Sequence, residues 1–241
     1  MSAAASPSRN HLLSRLSAAD TRLLQPGLKP IALQVCHYLE EPNKPIKYVY
    51  FLDSGMASHV ALTARKRKIE VGIIGREGVS SLAVVMGGDR SPNENYIQIK
   101  GSGQRIRSEA LRRAMQDSAS LHHSLLQFAQ TFLIQSAHTA LANATAKIDE
   151  RLARWLLMAH DRVDGDDIPL THEFLALMLG VRRAGVTVAL QMLEGNGLVG
   201  SSRGVVHIIN RRGLARLADG LYGTPEAEAA RLTGWRSPHA H

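Results

Sequence analysis

At 241 residues and 44 % hydrophobic content, the chain can fill one large core or two small ones, which excludes a wholly disordered protein. Basic residues number 29 and acidic ones 21, and the net charge of +8 suits nucleic acid or another polyanion as partner. The single cysteine, Cys36, excludes disulfide scaffolds, four-thiolate zinc sites and four-cysteine iron–sulfur clusters within one chain, so a reducing, cytoplasmic setting is expected.

Met1–Asn10 lacks the apolar stretch of a secretory signal and reads as a short disordered arm. Asn10 can cap a short helix over Leu12–Leu16, and Ser17–Leu24 continues in helical composition. Up to about residue 105, glycines punctuate short runs rich in β-branched and aromatic residues. Lys47–Leu52, Ile69–Ile74 and Asn95–Lys100 read as strands. Alternation of Ile97 and Ile99 with polar Gln98 and Lys100 predicts one buried face. Many short strands between close turn signals predict a small antiparallel roll or barrel.

Helix formers take over after residue 105. Leu121, Leu125, Phe128 and Phe132, continued by Gln135, Thr139 and Ala142, follow the alternating 4 and 3 spacing of a coiled-coil seam. The same spacing fits an amphipathic helix packed on its own roll, and both readings stay open. Ile148–Val163 predicts another amphipathic helix, which Asp164–Asp167 ends. Apolar runs such as Phe174–Val181 fall far short of the roughly 18 residues a membrane span needs.

Thr171 is a good N-cap for Thr171–Met178, Leu179-Gly180-Val181 supplies a tight turn, and Arg182–Glu194 forms a second helix ending at Gly195-Asn196-Gly197. Leu198–Ser202 and Val205–Ile209, joined by Arg203-Gly204, read as a β-hairpin. Helix, glycine turn, helix and hairpin make a winged helix-turn-helix, whose second helix can enter a DNA major groove. Residues 182–216 carry six arginines against one acid, Glu194, a local charge of +5. Arg182 and Arg183 open the second helix, where arginine can pair bidentately with guanine, and Thr187 can meet a phosphate or a thymine methyl.

These stretches resemble the Crp–Fnr superfamily of transcription regulators over nearly the whole chain. The likeness is strongest at Glu150–Arg162, Leu170–Leu190 (LTHEFLALMLGVRRAGVTVAL) and Ser202-Arg203-Gly204. The resemblance implies an α+β chain with four parts. An N-terminal antiparallel β-roll, jelly-roll-like and of the cyclic-nucleotide-binding kind, would span 11–105, and a long dimerisation helix 106–145. A C-terminal winged helix-turn-helix would span 146–222, and a flexible tail 223–241. The resemblance also implies a homodimeric regulator on a palindromic DNA operator, touching it through Thr171, Arg182, Arg183, Thr187, Ser202 and Arg203. RNA polymerase is a further partner so implied, although no motif marks a surface for it. Ala184 stands where the superfamily usually has glutamate, so the preferred operator should differ from the best-known one.

In cyclic-AMP-binding members of the superfamily, a Gly-Glu-Leu stretch leads to Arg-Ser-Ala or Arg-Thr-Ala. Here Gly78-Val79-Ser80 leads to Arg90-Ser91-Pro92, making Gly78, Ser80, Arg90 and Ser91 candidates to hold a nucleotide-like effector. Val79 replaces the ribose-binding carboxylate, and Pro92 removes a backbone N–H. Glu77 is one residue away, which on a strand turns a side chain to the opposite face. These changes argue against tight cyclic-AMP binding and leave the effector open. Haem is not indicated, because no spacing singles out one of the eleven histidines. His122-His123 reads as a polar surface pair, and Cys36 as a small buried or semi-buried residue. Nucleophile-elbow, phosphate-loop and metalloprotease motifs are missing, and Asp164, Asp166 and Asp167 read as solvent-facing turn acids, so an enzyme is not expected. The competing class is a nucleotide- or protein-binding sensory module whose winged helix does not read DNA specifically.

Overall fold

The computed structural model describes residues 8–239. Helices α1 (His11–Arg15) and α2 (Ala18–Leu24) open it, each capped by the preceding side chain: Asn10 accepts from the Leu13 N–H and Ser17 from that of Asp20. Asn10 is fully buried and also donates to the carbonyls of Leu52 (2.9 Å) and Gly78 (2.7 Å). The expected disordered arm is therefore corrected at its C-terminal end, where these bonds fix the chain; Met1–Pro7 lie outside the described residues.

Strands β1 (Lys29–Leu33), β2 (Tyr38–Glu40), β3 (Tyr48–Leu52), β4 (Met56–Leu62) and β5 (Lys68–Ile74) precede helix α3 (Leu82–Val85). Strands β6 (Glu94–Ile99) and β7 (Gly101–Arg107) complete the roll, so its last strand runs past the expected boundary at 105. Two antiparallel sheets result, β1-β7-β3 and β2-β6-β4-β5. Leu39 and Ile97 pack with Tyr50 and Leu52 in one cluster. A register shift beside Met56 turns Met56 and Ile99 to another cluster, with Trp155 and Leu156. All six residues of β6 are buried, which corrects the expectation of one buried face. The strand is central in its sheet, between β2 and β4, and Ile97 and Ile99 enter two different apolar clusters. Cys36, expected to be buried or semi-buried, is exposed in a left-handed turn (φ 64°), and its N–H bonds the Ile97 carbonyl.

After the roll come two helices rather than one. α4 (Ser108–Asp117) and α5 (Ala119–Thr145) break at Ser118, whose hydroxyl caps α5 and donates to the Asp20 carboxylate. That bond, with others from Ser17 and Ser120, holds the Asp20 carboxyl below its usual range. The heptad-spaced Leu121, Leu125, Phe128 and Phe132 are buried in the roll's own core, which answers the question that spacing left open. Gln135 suits the same face because its amide pairs with both backbone groups of Ile73, at 2.7 and 3.2 Å. A second row, Leu126, Leu133 and Leu141, faces outward at 41 %, 59 % and 49 % exposure.

The C-terminal part runs α6 (Ile148–His160), β8 (Asp167–Pro169), α7 (His172–Leu179), α8 (Arg183–Gly195), β9 (Val199–Ser202), β10 (Val205–Ile208) and α9 (Arg211–Leu217). Strand β8 pairs with β10 and adds to the expected hairpin a third strand. The tail expected to be flexible from 223 instead forms α10 (Thr224–Thr233), packed along α5. Glu226 accepts from the Gly223 N–H at its start, and Trp235 beyond its end is only 5 % exposed. Residues 240 and 241 lie outside the described residues.

Candidate nucleic-acid interface

The helix pair is set by its caps and its core. Thr171 accepts from the Phe174 N–H at 3.2 Å to start α7, and Gly180 (φ 62°) ends it in the left-handed conformation that glycine adopts without strain. Leu175 and Met178 of α7 and Val186, Leu190 and Leu193 of α8 share one core with Leu152, Trp155 and Leu156 of α6. Burying that side of α8 turns the other outward. Arg182 is its N-cap residue and Arg183 its first residue; both are exposed. The Thr187 hydroxyl donates to the Arg183 carbonyl at 3.2 Å.

The hairpin of β9 and β10 turns through exposed Ser202 and Arg203 and through Gly204 (φ 77°). Glu194, the one acid of this segment, accepts from both the N–H (2.8 Å) and the hydroxyl of Ser201, tying the hairpin to the end of α8. Of the six arginines, Arg211 is drawn inward by Asp161 (2.6 Å). Arg182, Arg183, Arg203, Arg212 and Arg216 are exposed and have no ion pair among the described residues. Three of these, Arg182, Arg183 and Arg203, lie on α8 and the hairpin, and Arg212 and Arg216 on α9; unpaired guanidinium ions grouped in one domain repel one another unless an anion covers them.

Of the effector candidates, Gly78, Ser80 and Ser91 are buried and Arg90 is exposed. The Phe128 ring of α5 rests so closely on Gly78 that a Cβ there would lie 1.9 Å from a ring atom. The Ser80 hydroxyl accepts from the Tyr50 N–H (3.0 Å) and the Ser91 hydroxyl from that of Asn93 (3.1 Å). Arg90 reaches into solvent and forks onto its neighbour Asp89. His122 reaches the Val85 carbonyl at 3.3 Å, while His123 is exposed.

Sequence reading missed the junction between roll and winged helix. Arg162, two residues past the end of α6, donates through Nε to Glu77 of the roll (2.8 Å) and lies 5.6 Å from the Trp235 ring. Asp161, fully buried, accepts from Arg211 (2.6 Å), the Tyr222 hydroxyl (2.7 Å) and Ser237 (2.6 Å). Glu70 of β5 accepts from Ser58 (2.5 Å) and from the Trp155 indole N–H (2.6 Å), yet burial pushes its carboxyl up to about 7. The three turn acids are exposed but engaged: Asp164 with Arg9 and Arg76, Asp166 with His160, Asp167 with His207. His160, Asp166 and His239 offer three ligand atoms within 4.8 Å of one another. Arg211 donates to His160 Nδ1 at 3.0 Å, however, which leaves the ring proton on Nε2, facing Asp166, where a metal would bind.

Residues 150–217, from α6 through α9, match the Crp-like helix-turn-helix domain. This part of the chain is a Crp-like helix-turn-helix domain. No curated protein matches the chain. Most of its length resembles several solved structures. One, from Eubacterium rectale and assigned to the Crp/FNR family of transcriptional regulators, is 20 % identical, with 87 % of this chain and 98 % of that one covered at a TM-score of 0.68. FixK2 of Bradyrhizobium japonicum is 19 % identical, with 79 % and 96 % covered and a TM-score of 0.69. The c-di-GMP-responsive global regulator CLP of Xanthomonas campestris is 16 % identical, with 80 % and 99 % covered and a TM-score of 0.64. At such identities the likeness is one of fold: an antiparallel roll, a long helix and a winged helix-turn-helix, as in Crp/FNR transcriptional regulators. Among the described residues no helix is long and apolar enough to cross a membrane.

Proposed function

We propose that the chain is a sequence-specific, DNA-binding transcription regulator that acts as a homodimer in the cytoplasm and catalyses no reaction. The observation that carries this reading is the set of five exposed, unpaired arginines in the C-terminal part, three of them on α8 and the hairpin and two on α9. Arg182, Arg183 and Thr187 then read base edges from the start of α8, while Thr171, Ser202 and Arg203 meet the phosphates that set register. The second copy docks on the outward leucine row of α5, Leu126, Leu133 and Leu141, which a partner helix would cover. Two-fold pairing brings two recognition helices into successive major grooves about 34 Å apart, so the operator is an imperfect palindrome. Ser80 and Ser91 spend their hydroxyls on the backbone and Phe128 covers Gly78, which favours DNA binding without a cyclic nucleotide.

The test is selection from a randomised duplex pool at physiological salt, with and without cyclic nucleotides, followed by sequencing. An enriched palindrome without nucleotide is expected. Enrichment only with a nucleotide would give the cassette the role that its sequence suggests. Weak binding, equal on all duplexes and lost with added salt, would leave a sensory module that does not read DNA.

A further inference from the structure

The outward face of α8 is not simply basic. Val188, in the middle of the helix, is 66 % exposed, the highest value among the large hydrophobic residues described. Ala184 lies one turn before it and Met192 one turn after, both exposed, and all three share a face at i, i+4 spacing. Valine is a weaker helix former than alanine, and here its branched side chain contributes nothing to the core that Val186 and Leu190 fill. An apolar row with Arg182 and Arg183 at its start, and with the hairpin's Arg203 in the same domain, suits a partner of two properties. It must be strongly anionic outside and must offer small apolar groups inside. The unpaired arginines favour an anionic partner over a purely hydrophobic protein surface. A DNA major groove supplies both properties, phosphates along its edges and the thymine C5 methyl on its floor.

We infer that Val188, with Ala184 beside it, reads a thymine methyl in the major groove, so that each half-site carries a thymine beneath Val188. This rests on the DNA reading proposed above and adds a specificity-determining residue to it. A valine has few rotamers to lose, and its contact with one methyl is an apolar one that neither arginine can make. The phosphate contacts are sequence-blind, so the discrimination at this base pair comes from the methyl alone.

The experiment starts from the operator enriched from the random pool. Its thymines are replaced one at a time by deoxyuridine, which deletes only the methyl, and affinity is measured for wild type and for Val188→Ala. One thymine per half-site should lose about fourfold in wild-type affinity on replacement, the effect of burying about one methyl. Val188→Ala should bind the thymine operator more weakly and lose this sensitivity at the same position, with its salt dependence unchanged. Because Val188 is on the surface and alanine is the better helix former, the variant should melt no lower than wild type. Affinity indifferent to every deoxyuridine, or Val188→Ala retaining the full sensitivity, would overturn the assignment while leaving a DNA-binding regulator. An operator that cannot be enriched would overturn both.

Discussion

Arg162 and Arg183 stand 21 residues apart and meet opposite surroundings. Arg162 has a side chain 5 % exposed, bonded to Glu77 and to the Met158 carbonyl and packed near Trp235. Arg183 opens α8 in solvent with no acidic partner among the described residues. Burial makes the first arginine a part of the fold: once desolvated, a guanidinium must be answered by carboxylate and carbonyl groups. Exposure leaves the second with its full set of donors for an outside anion. The same residue type thus positions the domain in one place and presents it for binding in the other. Charge counts along the sequence cannot separate the two.

The sharpest way to break this contrast is to remove one side of the buried pair. Glu77→Ala leaves Arg162 desolvated without its carboxylate and should cost about 3–5 kcal/mol in chemical denaturation. A loss below about 1 kcal/mol would mean that the junction is held by packing alone and that Arg162 is not a structural charge.

The junction should also respond to pH through Glu70, and the sign follows from its environment. Its carboxyl has a usual value of 4.5 and is raised to about 7 in the fold by burial. The folded state therefore binds the proton more tightly than the unfolded one. The stability this contributes is complete below about pH 4.5 and is lost as pH rises to 7. Glu70→Gln keeps an acceptor for Trp155 and has no such loss, so it should gain on wild type by on the order of 2–3 kcal/mol between pH 5 and pH 8. His59, held down to about 4 by burial, works in the opposite direction between pH 6.5 and 4, but it is common to both proteins and drops out of the difference. A constant difference across this range would show that Glu70 keeps an ordinary carboxyl.

On the reading face, Arg183→Ala should leave the denaturation curve in place and weaken binding to the selected operator by about 1–3 kcal/mol, with relaxed preference at one base pair. Equal losses on all duplexes would make Arg183 a phosphate contact. A shifted denaturation curve would undo the comparison itself, because the residue would then belong to the fold.

What the sequence disclosed divides along the same line. Local signals were legible: Asn10 and Thr171 as caps, Gly180 in the tight turn and Gly204 in the hairpin each act within a few residues. Long-range pairings were not. Arg162 and Glu77 are 85 residues apart, and nothing near either announces the other. The tail reads as flexible because Trp235 is its one large aromatic anchor after α10, and its burial depends on Arg162 and the roll. The heptad row of α5 showed that a face would be buried without showing against what. Leu126, Leu133 and Leu141 form a second row whose meaning emerges only once Leu125 and Phe132 are seen inside the roll. For the interface, six arginines gave the sign of the partner's charge, but only burial shows that Arg211 belongs to Asp161.

Arg203 provides the mildest test and separates two kinds of exposed arginine. It sits at the tip of the hairpin beside Gly204, where the chain turns, and Ser202 and Arg203 are both exposed. A side chain there reaches for the sugar–phosphate edge more readily than for a base in the groove, so its contribution should be sequence-blind and salt-dependent. Each phosphate neutralised releases counterions and adds about 0.9 to the slope of log affinity against log salt. Arg203→Ala should therefore weaken binding on specific and random duplexes alike and lower that slope by about one, with base preferences intact. An unchanged slope would take Arg203 off the phosphate backbone. Altered base preferences would move the hairpin into a groove and make the wing, as well as α8, a reader of sequence.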